Sequence, residues 1–425
     1  MTRPLLISAC GVNRFIAGLV GAILSFASLN VHAVPSFARQ TGQNCVACHA
    51  GGQFPELTPY GRLFKLTGYT IGQRVVPFSA MAVLMANKVK NEDPAATGHS
   101  QDGKPIFSTA SLFIAGKISD KTGGFVQITY NNYAGHSGYS GHTGSDNLDL
   151  RYADRYINGQ QDLIYGLTLH NNPGVQDVWN SNPTWGYSVV PGSSGVGGAS
   201  TPMLNGGLAQ QVAGGSAYAY WNKTVYAELS GYRTGDGIFS FMTQGNGSQI
   251  YIKGTNPYAR LALTHEWGAH NAMIGLSYLD VRQYIDQTNH FGATNRYRDN
   301  GIDFQYQYLL DPYSVTTTFT RIHEKIDSGT TGLLPDTVNY LRAKASFIYQ
   351  AQYGATISYF DVSNSSNTFF ASQTGTRGWT PEVFWAPLQN VRVGTQYTVF
   401  NKKSAGFSPK PNDNNTLFFY VWGAY

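Results

Sequence analysis

The most specific chemistry in this 425-residue chain lies in five residues, Cys45-Val46-Ala47-Cys48-His49. Two thiols three positions apart can each form a thioether to one vinyl group of a single porphyrin. The adjacent imidazole then reaches the iron as proximal ligand, which is the c-type haem attachment pattern C-x-x-C-H. A disulfide redox centre would want a βαβ context, and none is visible. A structural zinc site would need a fourth ligand and usually a second Cys/His pair. The remaining cysteine, Cys10, belongs to a segment that reads as cleaved, so both mature cysteines are used in the motif. The expected cofactor is therefore one covalently bound haem c, held by Cys45 and Cys48, with His49 on the iron.

The distal iron ligand is less legible. Between the motif and residue 80 there is neither a Met nor a second His. Met81 is the first candidate; Met85, of like parity on the same strand, and His170 follow it. Met ligation would raise the potential relative to two histidines. Apart from the haem no catalytic group is expected, because the chain contains no G-x-S-x-G, H-E-x-x-H or P-loop pattern.

The segments that must position this motif fall into three parts. Residues 1–33 read as a secretory signal peptide: Arg3 and Arg14 supply positive charge, 15–27 are apolar, and Val31-His32-Ala33 is a small-residue cleavage site. Residues 34–77 form the haem domain, with one short amphipathic helix expected after Thr58 as N-cap and Pro59 at the first helical position. So short a segment buries little core alone, so other walls must cover the porphyrin.

The rest, 78–425, is expected to supply them as a transmembrane β-barrel. Charged residues make up only 12% of the chain, against roughly 25% in soluble domains. Aromatics reach 14% with 28 Tyr, and there are 48 Gly. That composition disfavours disorder, and sparse, scattered charge disfavours a nucleic-acid partner. No apolar run after residue 30 is long enough for a membrane helix. Period-two alternation is clear: Leu261 and Leu263 alternate with Arg260, Ala262 and Thr264, and Leu341, Ala343 and Phe347 with Arg342, Lys344 and Ser346. Sixteen strand cores follow, at 78–90, 107–117, 124–134, 146–158, 161–171, 215–221, 224–233, 257–265, 270–281, 300–309, 313–323, 338–348, 353–363, 377–386, 391–400 and 415–425. Connections alternate short and long, as in outer-membrane barrels. A soluble sandwich rarely alternates so regularly, and no blade-length repeat is visible.

An all-β, sixteen-stranded barrel leaves an aqueous lumen, and an even strand number puts both chain ends at one rim. The haem segment is expected to enter from that rim, on the periplasmic side, and plug the lumen. Lumen parity includes Asp149, Arg151, Arg155, Arg260, Arg342, Lys344 and Arg392, whose basic members could pair with haem propionates or with acids on the plug. Loop acids such as Glu92, Asp93 and Asp102 could assist an incoming cation.

Several stretches carry a resemblance. Pro35-Ser36-Phe37-Ala38-Arg39-Gln40-Thr41-Gly42, the C-x-x-C-H, Phe54-Pro55-Glu56-Leu57-Thr58-Pro59-Tyr60-Gly61-Arg62 and Lys65-Leu66-Thr67-Gly68-Tyr69 resemble the fused monohaem cytochrome–porins of iron-oxidising bacteria. Asn171-Asn172-Pro173-Gly174-Val175-Gln176-Asp177-Val178-Trp179-Asn180, with Trp185-Gly186, resembles their large-loop motif. The spacer at 50–53 is a departure, being longer than the family's. The resemblance implies an oxidoreductase of the Gram-negative outer membrane, with both termini periplasmic. In that family extracellular Fe(II) gives one electron to the haem, which a periplasmic c-type cytochrome or other carrier receives, the barrel being solvated by outer-membrane lipid. By position it assigns Cys45 and Cys48 to the haem and His49 to the iron. Two other readings stay open: an electron conduit for a donor or acceptor other than Fe(II), and a porin gated by its haem segment.

Overall fold

The computed structural model describes residues 35–52, 56–90, 105–131, 141–180, 202–244, 250–288, 290–365, 367, 375–402 and 410–425. The expected signal peptide, Phe54-Pro55, Trp185-Gly186 and the loop acids Glu92, Asp93 and Asp102 lie outside these residues.

Sixteen strands alternate along the chain: β1 (Phe78–Val89), β2 (Ile106–Lys117), β3 (Thr122–Asn131), β4 (His142–Asn158), β5 (Gln161–His170), β6 (Val212–Trp221), β7 (Val225–Thr234) and β8 (Asn256–Trp267), then β9 (His270–Tyr284), β10 (Thr294–Leu310), β11 (Tyr313–Asp327), β12 (Asp336–Tyr349), β13 (Tyr353–Asn364), β14 (Thr376–Leu388), β15 (Val391–Lys402) and β16 (Thr416–Ala424). Each pairs antiparallel with its sequence neighbours, and β1 pairs with β16 to close the barrel. The closing register runs from Met81 opposite Ala424 to Val89 opposite Thr416. Closure satisfies every strand edge, which a membrane-spanning sheet requires.

One rim of the barrel is made of short turns. Asn222 and Lys223 have φ of 48° and 53°, and Gln350 and Ala351 have 53° and 55°. Two successive left-handed residues form the type I′ hairpin turn, whose twist matches the flanking strands. Both ends of the barrel domain meet at this rim: Ala80 and Tyr425 exchange backbone hydrogen bonds of 2.7 Å in each direction.

Residue polarity is reversed relative to a soluble protein. Leu261, Leu263, Ile274, Leu276, Phe304 and Val383 are exposed on the outer surface, whereas Arg260, Thr264, Asp303, Gln305, Glu382 and Gln396 are buried on the lumen side. An apolar outer face over a polar interior suits hydrocarbon as the outer solvent. Exposed Trp221, Trp267, Tyr313, Tyr353 and Trp385 sit close to the short turns, as the aromatic girdle of a membrane interface does.

The lumen is filled from both ends. From the short-turn rim enter three helices, α1 (Pro35–Thr41), α2 (Cys45–Cys48) and α3 (Pro59–Leu66). From the long-loop end, the connection between β5 and β6 folds inward, carrying the single turn α4 (Pro173–Gln176). Val175, Val178 and Trp179 of this loop are fully buried. Arg260 on β8 pairs with Asp177 at 3.4 Å and with Asp303 at 2.8 Å, and Gln305 donates to the Trp179 carbonyl. Farther along the loop, the Leu204 amide donates to Asp299 at 2.6 Å and the Met203 amide to Glu324 at 2.9 Å.

Candidate functional site

The plug is fastened to the wall through a few polar side chains. Arg62 on α3 donates to Asn271 on β9 (2.9 Å), to Gln307 and Gln305 on β10 (3.2 and 3.4 Å), and to the Leu57 carbonyl (2.8 Å). Burial lowers its pKa to about 10, so it remains a cation at neutral pH. Lys344 on β12 pairs with Glu56. Gln40 on α1 donates to the Tyr69 and Ile71 carbonyls and accepts the Lys117 amide of β2. Tyr69 donates to Asp149 on β4 at 2.5 Å, and Tyr218 on β6 to the Leu66 carbonyl at 2.6 Å.

Within this plug the C-x-x-C-H forms the single turn α2 with His49 as its C-cap, the His49 amide donating to the Cys45 carbonyl at 2.9 Å. Residues at i and i+3 of a helical turn share a face, and both cysteines line the same cleft, with the Cys45 thiol donating to the Gln389 carbonyl between β14 and β15 at 3.4 Å. Thr58 holds the turn in place: its amide donates to the Cys48 carbonyl (2.9 Å), its hydroxyl to the Ala47 carbonyl, and its oxygen caps α3 by accepting the Gly61 amide. Thr58 is thus the N-cap and Pro59 the first helical residue, as the sequence predicts. α3 crosses so close to α2 that a Cβ on Gly61 would collide with the Cys48 backbone, which explains a glycine within a helix.

Cys45, Cys48 and His49 line one cleft between the plug and the inward loop. It opens to solvent and holds about 880 Å³ of empty space, mouth included. Four aromatic rings form much of its wall. Phe37 stacks on Tyr69 with centroids 5.3 Å apart, Phe64 stands edge-on to both, and Phe125 on β3 lies 6.1 Å from Tyr69. Leu57 and Val175 add aliphatic surface. Lys65 is the only Lys, Arg, Asp or Glu among the described residues of this lining.

These residues fit a c-type haem. Two thiols and an imidazole converge on an apolar, aromatic cleft, the donor set and surroundings that a covalently bound porphyrin takes. A thiol–disulfide redox centre fits less well: its attacking thiol ordinarily has a depressed pKa, whereas burial, with Cys45 beside it, pushes the Cys48 thiol up to about 11. Among the described residues no group of three or more His, Cys, Asp or Glu could hold a metal ion directly.

The distal candidates lie elsewhere. Met81 and Met85 do face the lumen, as their parity requires, but they pack with Val83, Phe418, Tyr420 and Trp422 along the β1–β16 seam. Neither lines the cleft. Parity gives the face of the barrel, not the position of the plug within it, so Met81 faces the lumen without lining the cleft. His170 is fully buried against Tyr232, with Ser216 at 3.5 Å, also outside the lining.

Of the lumen charges expected to meet propionates or plug acids, Lys344 pairs with a plug acid, Glu56. Arg151 pairs with Asp149 (2.8 Å) and Arg392 with Glu382 (2.6 Å), both within the wall, and Arg155 with Asp162 near the rim. Arg342 is buried on β12 outside the cleft lining. The lining residues to which the sequence assigned no haem role include Phe37, Phe64, Tyr69 and Phe125, with Lys65, Val175 and Asn180.

No protein-family model and no curated protein sequence matches this chain. Solved structures with a similar arrangement include the outer-membrane channel DcaP of Acinetobacter baumannii (10% identity, 82% of this chain and 96% of that one, TM-score 0.48). The anion-selective porin from Comamonas acidovorans (9%, 82% and 98%, TM-score 0.46) and Salmonella typhi OmpF in complex with daunomycin (12%, 82% and 97%, TM-score 0.44) are also similar. The sixteen-stranded barrel itself rests on the chain's own closed pairing.

Proposed function

We propose that this chain is a Gram-negative outer-membrane protein that carries one covalent haem c inside its lumen and moves single electrons from extracellular Fe(II) to a periplasmic carrier. The observation that supports this reading most is the convergence of Cys45, Cys48 and His49 on an aromatic cleft inside a barrel filled from both ends. When bound, the haem supplies a one-electron couple tuned by burial and ligation. The chain's own residues hold it at Cys45 and Cys48, orient it through His49, and keep water from it with Phe37, Phe64, Tyr69 and Phe125. Long-range transfer of this kind asks for no acid–base group. The net reaction oxidises one Fe(II) to Fe(III) for each carrier reduced by one electron, with the short-turn rim and both chain ends on the periplasmic side.

Stopped-flow absorbance of the oxidised, detergent-solubilised protein mixed with Fe(II) tests this. Rapid, saturable appearance of a reduced c-type spectrum is expected. Reduction by dithionite without reduction by Fe(II) would transfer the proposal to another electron donor.

A further inference from the structure

Lys65 is the most constrained charged group in the cleft. It lies on the same face of α3 as Gly61, one turn away, and only 5% of its surface is exposed. Its ammonium donates to the Val175 carbonyl at 2.6 Å, to the Asp177 carbonyl at 2.8 Å and to Asn180 Oδ1 at 3.4 Å. Among the described residues, Val175 and Asn180 are the two that the inward loop contributes to the lining. All three acceptors of a buried cation thus belong to one loop, and that loop forms one side of the cleft. Charged groups facing it from other elements are Asp149 and Arg151 on β4, Asp177 on the loop and Glu228 on β7.

We propose that Lys65 is a positioning residue that clamps the inward loop onto the plug and, as the cation in the cleft wall, raises the midpoint potential of the haem placed there. The second half rests on the haem reading above. A cation beside a redox centre favours the state with one more electron. A closed loop excludes water, which would otherwise favour the more highly charged oxidised state. Both effects have the same sign, so losing Lys65 lowers the potential.

The test compares full-length wild type with Lys65→Met and Lys65→Arg. Hydrogen exchange of the loop amides at 175–180 reports the clamp, and spectroelectrochemical titration reports the potential. In Lys65→Met, loop exchange accelerates at least tenfold while covalent haem content stays at the wild-type level. The oxidised-to-reduced ratio at fixed potential rises about tenfold, which is 59 mV for one electron. Lys65→Arg, which keeps the charge, restores most of the potential and keeps the test available if Lys65→Met does not assemble. Unchanged loop exchange in Lys65→Met, or accelerated exchange with an unchanged potential, overturns the proposal. A wild-type protein without covalent haem defeats the haem reading and the potential with it; exchange in that same protein still decides whether Lys65 holds the loop.

Discussion

The barrel wall and the material that fills it are held together by different physics. The wall is a closed ladder of backbone hydrogen bonds, indifferent to most side-chain identities provided that alternation puts apolar groups outward. The filling is three short helices and a loop, too small to bury a core of their own. It depends on specific polar anchors such as Arg62, Gln40, Glu56 and Lys65. The wall should therefore assemble without the filling, whereas the filling has no structure without the wall. The cleft lined by Cys45, Cys48 and His49 belongs to the dependent part.

The largest effect expected of breaking this pair comes from deleting residues 35–76. The wall closes as before, and single-channel conductance in planar bilayers rises at least about tenfold over the plugged protein, as an emptied sixteen-stranded lumen would allow. Unchanged conductance would mean that the inward loop alone closes the barrel. Replacing Cys45 and Cys48 together by Ala comes next. Covalent haem staining disappears while circular dichroism and gel mobility of the folded barrel stay as in wild type; a variant that keeps covalent haem would remove α2 from the account.

An intermediate effect is expected at Arg62. Arg62→Ala leaves Asn271 and Gln305 buried without this donor, while Gln307 still accepts from Asn271, costing about 3 kcal/mol of plug docking. Exchange of the α3 amides then accelerates roughly a hundredfold while strand amides do not change. Equal acceleration in both regions would contradict the independence of wall and filling.

The smallest effect is a pH dependence of the loop contact. Burial lowers the Lys65 pKa from 10.5 to about 8, so an opening that returns Lys65 to water takes up a proton between those values. The closed loop binds fewer protons than the open one in that window, so its stability rises as pH increases from 8 to 10.5 and is flat below 8. The gain is about 3 kcal/mol at most. Loop exchange in wild type, corrected for the intrinsic pH dependence by Lys65→Met, measures it; a fall in relative protection over that window would reverse the assigned sign.

The two regions also differ in how far they can be read from residues alone. Strand number and lumen parity were legible because alternation is local: Leu261 and Leu263 face outward and Arg260 inward, as expected. The strand ends were less so. β4 begins at His142 and β10 at Thr294, several residues before their apolar cores, because pairing continues where alternation has become polar. Cys45, Cys48, His49, Thr58 and Pro59 were legible as a short-range pattern. The rest of the cleft was not. Phe125 comes from β3, Val175 and Asn180 from the inward loop, and Lys65 from a helix whose depth in the barrel no periodicity encodes. The same coordinate is missing for Met81, whose lumen face was legible but whose place on the β1–β16 seam was not.

The proposed haem is attached through both thiols in the cleft between plug and loop. Mass spectrometry of the proteolytic peptide spanning Cys45 to His49, from protein matured in a cell with cytochrome c assembly, addresses it directly. A peptide heavier by one haem is expected, with neither thiol open to alkylation. An unmodified peptide with both thiols alkylated would contradict it.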